Sequence, residues 1–191
     1  MAAFSLIELL FILGLAATLT AIAVPQTTRA LDDLRAAGAA RYVAGRLQLA
    51  RMDALSRTRD TAIRFVSTGS TYAFTVYADG NRNGVRTTDI QHAIDVAIAP
   101  VERLSDQFPG VDFATLPALP PVVPDEPPPG DDPIRLGAGN LATFTSSGTS
   151  STGSIYVLGR GRAQFVIRLF GQTGKIRVLK FNLQNRTWVP L

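Results

Sequence analysis

The residue types able to do chemistry in this chain are few. With one histidine and no cysteine in 191 residues, thiol nucleophiles, disulfides and Cys-based metal sites are excluded. His92 stands near Asp89 and Asp95, which could be drawn as an acid/base set, but a lone histidine of this kind is far more often incidental. The Ser/Thr-rich stretch 145–154 lacks the G-x-S-x-G elbow of a hydrolase, so no enzyme is expected. Asp79, Asn81 and Asn83 are weak calcium candidates, since they repeat oxygen ligands at the spacing that opens a calcium loop. The bidentate acid such a loop needs is replaced by Ile90, and Arg82 and Arg86 would oppose a dication. A tight Asx- and Gly-rich turn is the stronger reading, and no metal or cofactor is expected. Two charge features remain. Glu8 is a lone acid inside an apolar run, and the 15 acidic residues all lie at or before Asp132, leaving the C-terminal third purely basic within a net charge of +4.

The elements that position these groups follow from the pattern. Residues 4–24 are apolar apart from Glu8 and a few hydroxyls, and as a helix would extend roughly 31 Å, enough to cross the hydrocarbon core of a bilayer. A carboxylate there needs a place near the interface or a partner. Pro25 ends the run and is a candidate helix kink. Residues 26–58 are rich in Ala, Leu and Arg, and Ala36, Ala40, Val43, Leu47, Ala50 and Ala54 recur at spacings of three and four. They predict a narrow small-residue face packed closely on a sheet, with Arg35, Arg46, Arg57 and Asp53 on a solvated side. Beyond it, residues 59–191 predict a β-rich head. Strands are expected at 61–66, 71–77, 142–145, 154–158, 163–170 and 175–182, with one more strand and its connection within 91–104. Residues 109–133 hold nine prolines and five acids, and predict an exposed, semi-extended insertion. The expected class is α+β, a long helix packed on an antiparallel sheet.

The string Phe4-Ser5-Leu6-Ile7-Glu8-Leu9-Leu10 resembles the class III signal and N-terminal helix of type IV pilins and type II secretion pseudopilins. Leu47 to Ala54, the Asp79-Gly80-Asn81 turn with Asn83-Gly84-Val85-Arg86, the 144–156 stretch and Gly174-Lys175-Ile176-Arg177 are similar to the GspH/FimT branch of that family. The resemblance implies cleavage between Ala3 and Phe4 by a prepilin peptidase at the inner membrane, followed by methylation of the Phe4 amine. It implies that Glu8 pairs with that amine, in its own chain or a neighbour's, during assembly with other pilins or pseudopilins. The expected organisation is a leader at 1–3, an assembly helix at 4–25, its amphipathic continuation at 26–58 and a periplasmic head at 59–191. The family usually has Gly before the cut and a cationic leader, so Met1-Ala2-Ala3 is expected to reflect a misplaced start.

Two alternatives stay open at this level. Ala21-Ile22-Ala23 offers an ordinary signal-peptide cleavage site before Val24, against which stand the missing basic n-region, the length of the run and the acid within it. The second concerns Gly159-Arg160-Gly161-Arg162 and Gly174-Lys175-Ile176-Arg177, which resemble the Gly-Arg-x-Arg turn of DNA-binding FimT-type minor pilins. Arg160, Arg162, Lys175 and Arg177 are therefore candidate DNA contacts, with Arg168, Lys180 and Arg186 and nearby aromatic rings in support. The resemblance thus implies a minor subunit near the tip of a type II secretion pseudopilus or a type IV pilus, engaging other subunits, secreted cargo or DNA.

Overall fold

A computed structural model describes residues 5–69 and 71–191, so the expected Ala3–Phe4 cleavage site lies outside the described residues. One helix, α1 (Leu6–Arg57), runs without interruption through Pro25. Ser5 precedes it in extended conformation, and Thr58 ends it in the left-handed region (φ 52°) with its N–H donating to the Ala54 carbonyl. Strands β1 (Thr61–Ser67) and β2 (Tyr72–Ala78) follow as a hairpin, then α2 (Thr87–Gln91), β3 (Val96–Ala97), β4 (Glu102–Arg103) and α3 (Leu104–Gln107). The remainder is β5 (Val111–Asp112), β6 (Ile134–Arg135), β7 (Leu141–Phe144), β8 (Gly153–Gly159), β9 (Gln164–Phe170), β10 (Lys175–Asn182) and β11 (Thr187–Pro190).

The strands form two antiparallel sheets where the sequence suggested one. The first has the order β3-β2-β1-β7, with β4 also pairing β2; the second runs β11-β10-β9-β8-β5, with β6 also pairing β8. The six strands expected from alternation are all present. The two-residue strands β3 to β6 and the edge strand β11 are additions, and 91–104 holds two such strands instead of one. A strand of two residues carries no readable period.

Both sheets pack on the same stretch of α1. Ala36, Ala39, Ala40, Val43, Leu47, Ala50 and Ala54 are buried in one cluster with Ile63, Phe65 and Phe74 of the first sheet and Ile155, Val157, Phe165, Ile167 and Leu169 of the second. The small face read from the helix spacing is thus the core seam. On the opposite side of the second sheet, the alternate residues Tyr156, Val166 and Phe181 form a separate cluster with Leu116 and Leu119. The proline-rich segment therefore covers a sheet face instead of extending into solvent. Prolines deny the ladder its donors, but they do not stop the leucines between them from being buried. Gln164 fastens this cover, because its Oε1 accepts the Leu116 N–H at 2.8 Å and its Nε2 donates to the Ala114 carbonyl at 3.2 Å.

Candidate functional site

The first half of α1 shows side chains of a kind that water does not favour. Leu6, Ile7 and Phe11 are each more than 70% exposed, and Leu9, Leu10, Ile12, Leu13, Leu15, Leu19, Ile22 and Val24 are exposed around the whole circumference. The few polar groups within this run are satisfied locally. Thr18, Thr20 and Thr27 donate to the carbonyls of Leu15, Ala16 and Ala23, and Thr28 donates to that of Pro25. Such back-bonding lets a hydroxyl enter an apolar medium. Glu8 is exposed in the first helical turn, where the helix dipole favours an anion, and its N–H donates to the Ser5 carbonyl at 3.1 Å. Its expected partner, the Phe4 amine, lies outside the described residues. Pro25 lacks the N–H that would reach the Ala21 carbonyl, so the continuous helix is short of one hydrogen bond where the apolar run ends. This is the one helix among the described residues long and apolar enough to cross a membrane.

The second half is held by the head at close range. A Cβ placed on Gly159 would lie 2.8 Å from Ala36 Cβ, so only the pairing of glycine with alanine lets β8 approach α1 this closely. At the far end Gly174, at φ 59°, turns β9 into β10 against Arg51, whose Nη2 donates to the Thr173 carbonyl at 3.0 Å. The polar side of the helix is less solvated than its sequence suggested. Arg46 and the Tyr42 hydroxyl both bond the half-buried Glu102, and Gln107 donates to the Tyr42 hydroxyl at 2.9 Å. Burial, reinforced by the Glu102 bond, raises the Tyr42 pKa above its ordinary value. Asp53 gathers Arg57 at 2.6 Å, Arg59 at 3.8 Å and the Thr61 hydroxyl at 3.2 Å, tying the helix end to β1. Arg35 and Arg57 stay solvated as expected, each in a surface pair one helical turn long, Arg35 with Asp32 at 3.2 Å and Arg57 with Asp53.

The candidate DNA residues do not form one patch. Arg160 and Arg162 are exposed on the β8–β9 turn, where Gly161 approaches Asp32 of α1. Lys175 and Arg177 are exposed at the start of β10, opposite Phe170 and Arg168. Strand β9 separates the two pairs, and at 3.3 Å per residue its length is roughly 20 Å. Two of the supporting cations are already paired. Arg168 is 5% exposed, bonds Glu126 through both terminal nitrogens and donates to Ser154 Oγ at 3.0 Å. Lys180 bonds Asp33 at 3.0 Å. Phe165 and Phe181 are buried, unavailable for stacking on bases, and Trp188 is half-buried with its indole N–H donating to the Pro120 carbonyl. The Arg168–Glu126 pair escaped sequence reasoning. Its one local sign was the arginine's place among Val166, Ile167, Leu169 and Phe170.

The acidic turn is built by main-chain bonds. Asp79 accepts the N–H groups of Asn81 (3.0 Å), Arg82 (2.7 Å) and Gly84 (2.7 Å), which occupies both of its oxygens. Asn81 Oδ1 accepts the Asn83 N–H, while Asn81 Nδ2 donates to Asp89 at 3.4 Å. Side-chain hydrogen bonds from Asn83 first, then Asn81 and Thr88, hold the Asp89 carboxyl below its usual range. Asp95 closes the same turn from a distance, accepting Gly80 at 3.0 Å and Arg86 at 2.9 Å. His92 Nδ1 instead faces the Thr88 carbonyl at 2.8 Å, so the drawn histidine and acids have separate structural tasks.

The family model described as "Type II transport protein GspH" matches residues 39–173, most of the head and the buried half of the helix. The chain belongs to the GspH family. In the structure of the minor pseudopilin EpsH from the type 2 secretion system of Vibrio cholerae, a chain 14% identical aligns with a TM-score of 0.48, covering 76% of this chain and 97% of that one. No curated protein matches the sequence. Membership places the chain among type II secretion pseudopilins, which assemble with other pseudopilins, and its apolar half-helix fits an inner-membrane anchor. The match lends no support to a role in DNA uptake, and the candidate cations stand as two separate pairs on either side of β9.

Proposed function

We propose that this GspH-family subunit waits in the inner membrane with its head in the periplasm and enters a short type II secretion pseudopilus near its tip, where it works by contact and without turnover. The observation that carries the reading is α1 itself, one helix of 52 residues whose first half is fully exposed and apolar while its second half is the seam of the head. A helix with an unsatisfied apolar circumference needs either lipid or the apolar helices of neighbouring subunits, and assembly exchanges one for the other. In this account prepilin peptidase cuts between Ala3 and Phe4, and Glu8 pairs with the methylated Phe4 amine as the helix leaves lipid. A charge pair in such a place fixes register more than it adds stability.

The test is Glu8→Ala in a strain or reconstituted system that holds prepilin peptidase and the companion pseudopilins. Membrane flotation should be unchanged, while crosslinking to other pseudopilins should drop by about tenfold or more. Undiminished crosslinking would sink the pairing. Mass spectrometry of the mature N-terminus gives the processing arm: N-methylated Phe4 is expected, and a start at Val24 would mean an ordinary secreted protein.

A further inference from the structure

The end of the head nearest the apolar half-helix carries an excess of cations. Arg29 on α1, Arg160 and Arg162 on the β8–β9 turn and Arg186 on the β10–β11 turn are exposed and make no ion pair among the described residues. They belong to one end for geometrical reasons. Gly161 lies 3.6 Å, by its would-be Cβ, from Asp32 Cβ, and Arg29 and Arg162 border the same groove as Lys180 and Leu183. The pairing of Lys180 with Phe165 brings the β10–β11 turn to the level of the β8–β9 turn. The acids on the helix here, Asp32 and Asp33, are matched by Arg35 and Lys180. Asp112, half-buried on β5 opposite Leu158, is one further carboxylate that strand pairing brings towards this end. Leu183, 51% exposed, stands on the β10–β11 turn beside Arg186.

The height of this end above the apolar run is fixed by helical rise. Arg29 is about 7 Å and Asp32 about 12 Å along the axis from Val24. The headgroup zone occupies roughly 5–8 Å beyond the hydrocarbon on each side, and charges interact across about 8 Å more at physiological salt. We propose that this end of the head docks on the anionic phospholipid headgroups of the bilayer that α1 enters. Guanidinium groups of Arg29, Arg160, Arg162 and Arg186 pair with lipid phosphates, and Leu183 rests at the interface. The inference rests on the membrane-anchored reading and adds a second attachment that must be released when the subunit leaves the membrane.

The experiment uses the full chain in vesicles of phosphatidylcholine alone or with added phosphatidylglycerol, heads outward, under limited trypsin digestion. Cleavage after Arg160 and Arg162 should slow by about fivefold or more in the anionic vesicles and recover at high salt. Cleavage after Arg82 serves as the internal control. It is exposed in the turn beside Asp60, roughly 40 Å farther along the helix direction, and its rate should match in both vesicles. The Arg29→Gln/Arg186→Gln variant, which keeps both cleavage sites, should lose most of the protection. Equal rates after Arg160 and Arg162 in the two vesicles overturn the docking while leaving the anchor intact. A chain that floats with neither vesicle overturns the anchored reading and the docking together.

Discussion

The two halves of α1 are one element in two solvents. From Leu6 to Val24 large aliphatic side chains point outward in all directions, whereas from Ala36 to Ala54 the inward face is mostly methyl groups and the outward face mixes charges with the exposed Leu49 and Met52. The difference teaches what each partner demands. Lipid tails accept any apolar shape, so the first half needs only bulk and local satisfaction of its hydroxyls. Two sheets closing on one helix need proximity, so the second half has alanine where β8 carries Gly159.

That comparison can be broken most sharply with leucines. Leu47 is fully buried in the seam, and Leu47→Ala should cost about 3–5 kcal/mol of head stability by cavity formation. Leu13→Ala, in the exposed half, should leave the urea midpoint of the head unchanged in detergent micelles. Comparable losses from both would end the two-solvent account. A finer test adds one methyl group at the closest approach. Gly159→Ala should cost about 1–3 kcal/mol, and adding Ala36→Gly should recover part of it, with a coupling of at least about 0.5 kcal/mol in a double-mutant cycle. Strict additivity would show that the helix and β8 are not in register at this point.

The smallest effect concerns the sheet that covers the second half. Burial raises the Asp112 carboxyl above its ordinary pKa, against the opposing pull of the Phe113 N–H donated at 2.8 Å. A raised acid contributes stability while protonated, below the unfolded value near 4, and loses it as pH rises through the higher folded value. At neutral pH the charged Asp112 is therefore a cost. Asp112→Asn, which keeps the acceptor oxygen, should raise the melting temperature slightly at pH 7 and have no effect in acid. A gain that persists in acid would assign the effect to packing instead of charge.

Much of this was legible in the residues themselves. Spacings of three and four announced the alanine seam, alternation announced six of the strands, and Asp79 with its glycines announced the turn. What was hidden depends on partners remote in sequence. Nothing beside Leu116 or Leu119 shows that Tyr156 and Val166 lie beneath them, and the count of prolines around them pointed outward. Arg168 and Lys180 read as free cations because Glu126 and Asp33 are 42 and 147 residues away. The candidate site was legible as a helix with one misplaced acid. The separation of Arg160 and Arg162 from Lys175 and Arg177 was not, since a turn motif gives no distance to the next.

The course of β8 and β9 beside α1 has a mechanical side. Their two ends meet the helix near Ala36 and near Arg51, so these strands run along the helix axis for about 20 Å instead of across it. A pull on the helix, of the kind a subunit feels when drawn from a bilayer, therefore loads the helix–sheet seam in shear. The buried contacts from Ala36 to Ala50 then share the load. Resistance to such a pull is governed by an unfolding rate, and a seam sheared along its length keeps that rate low.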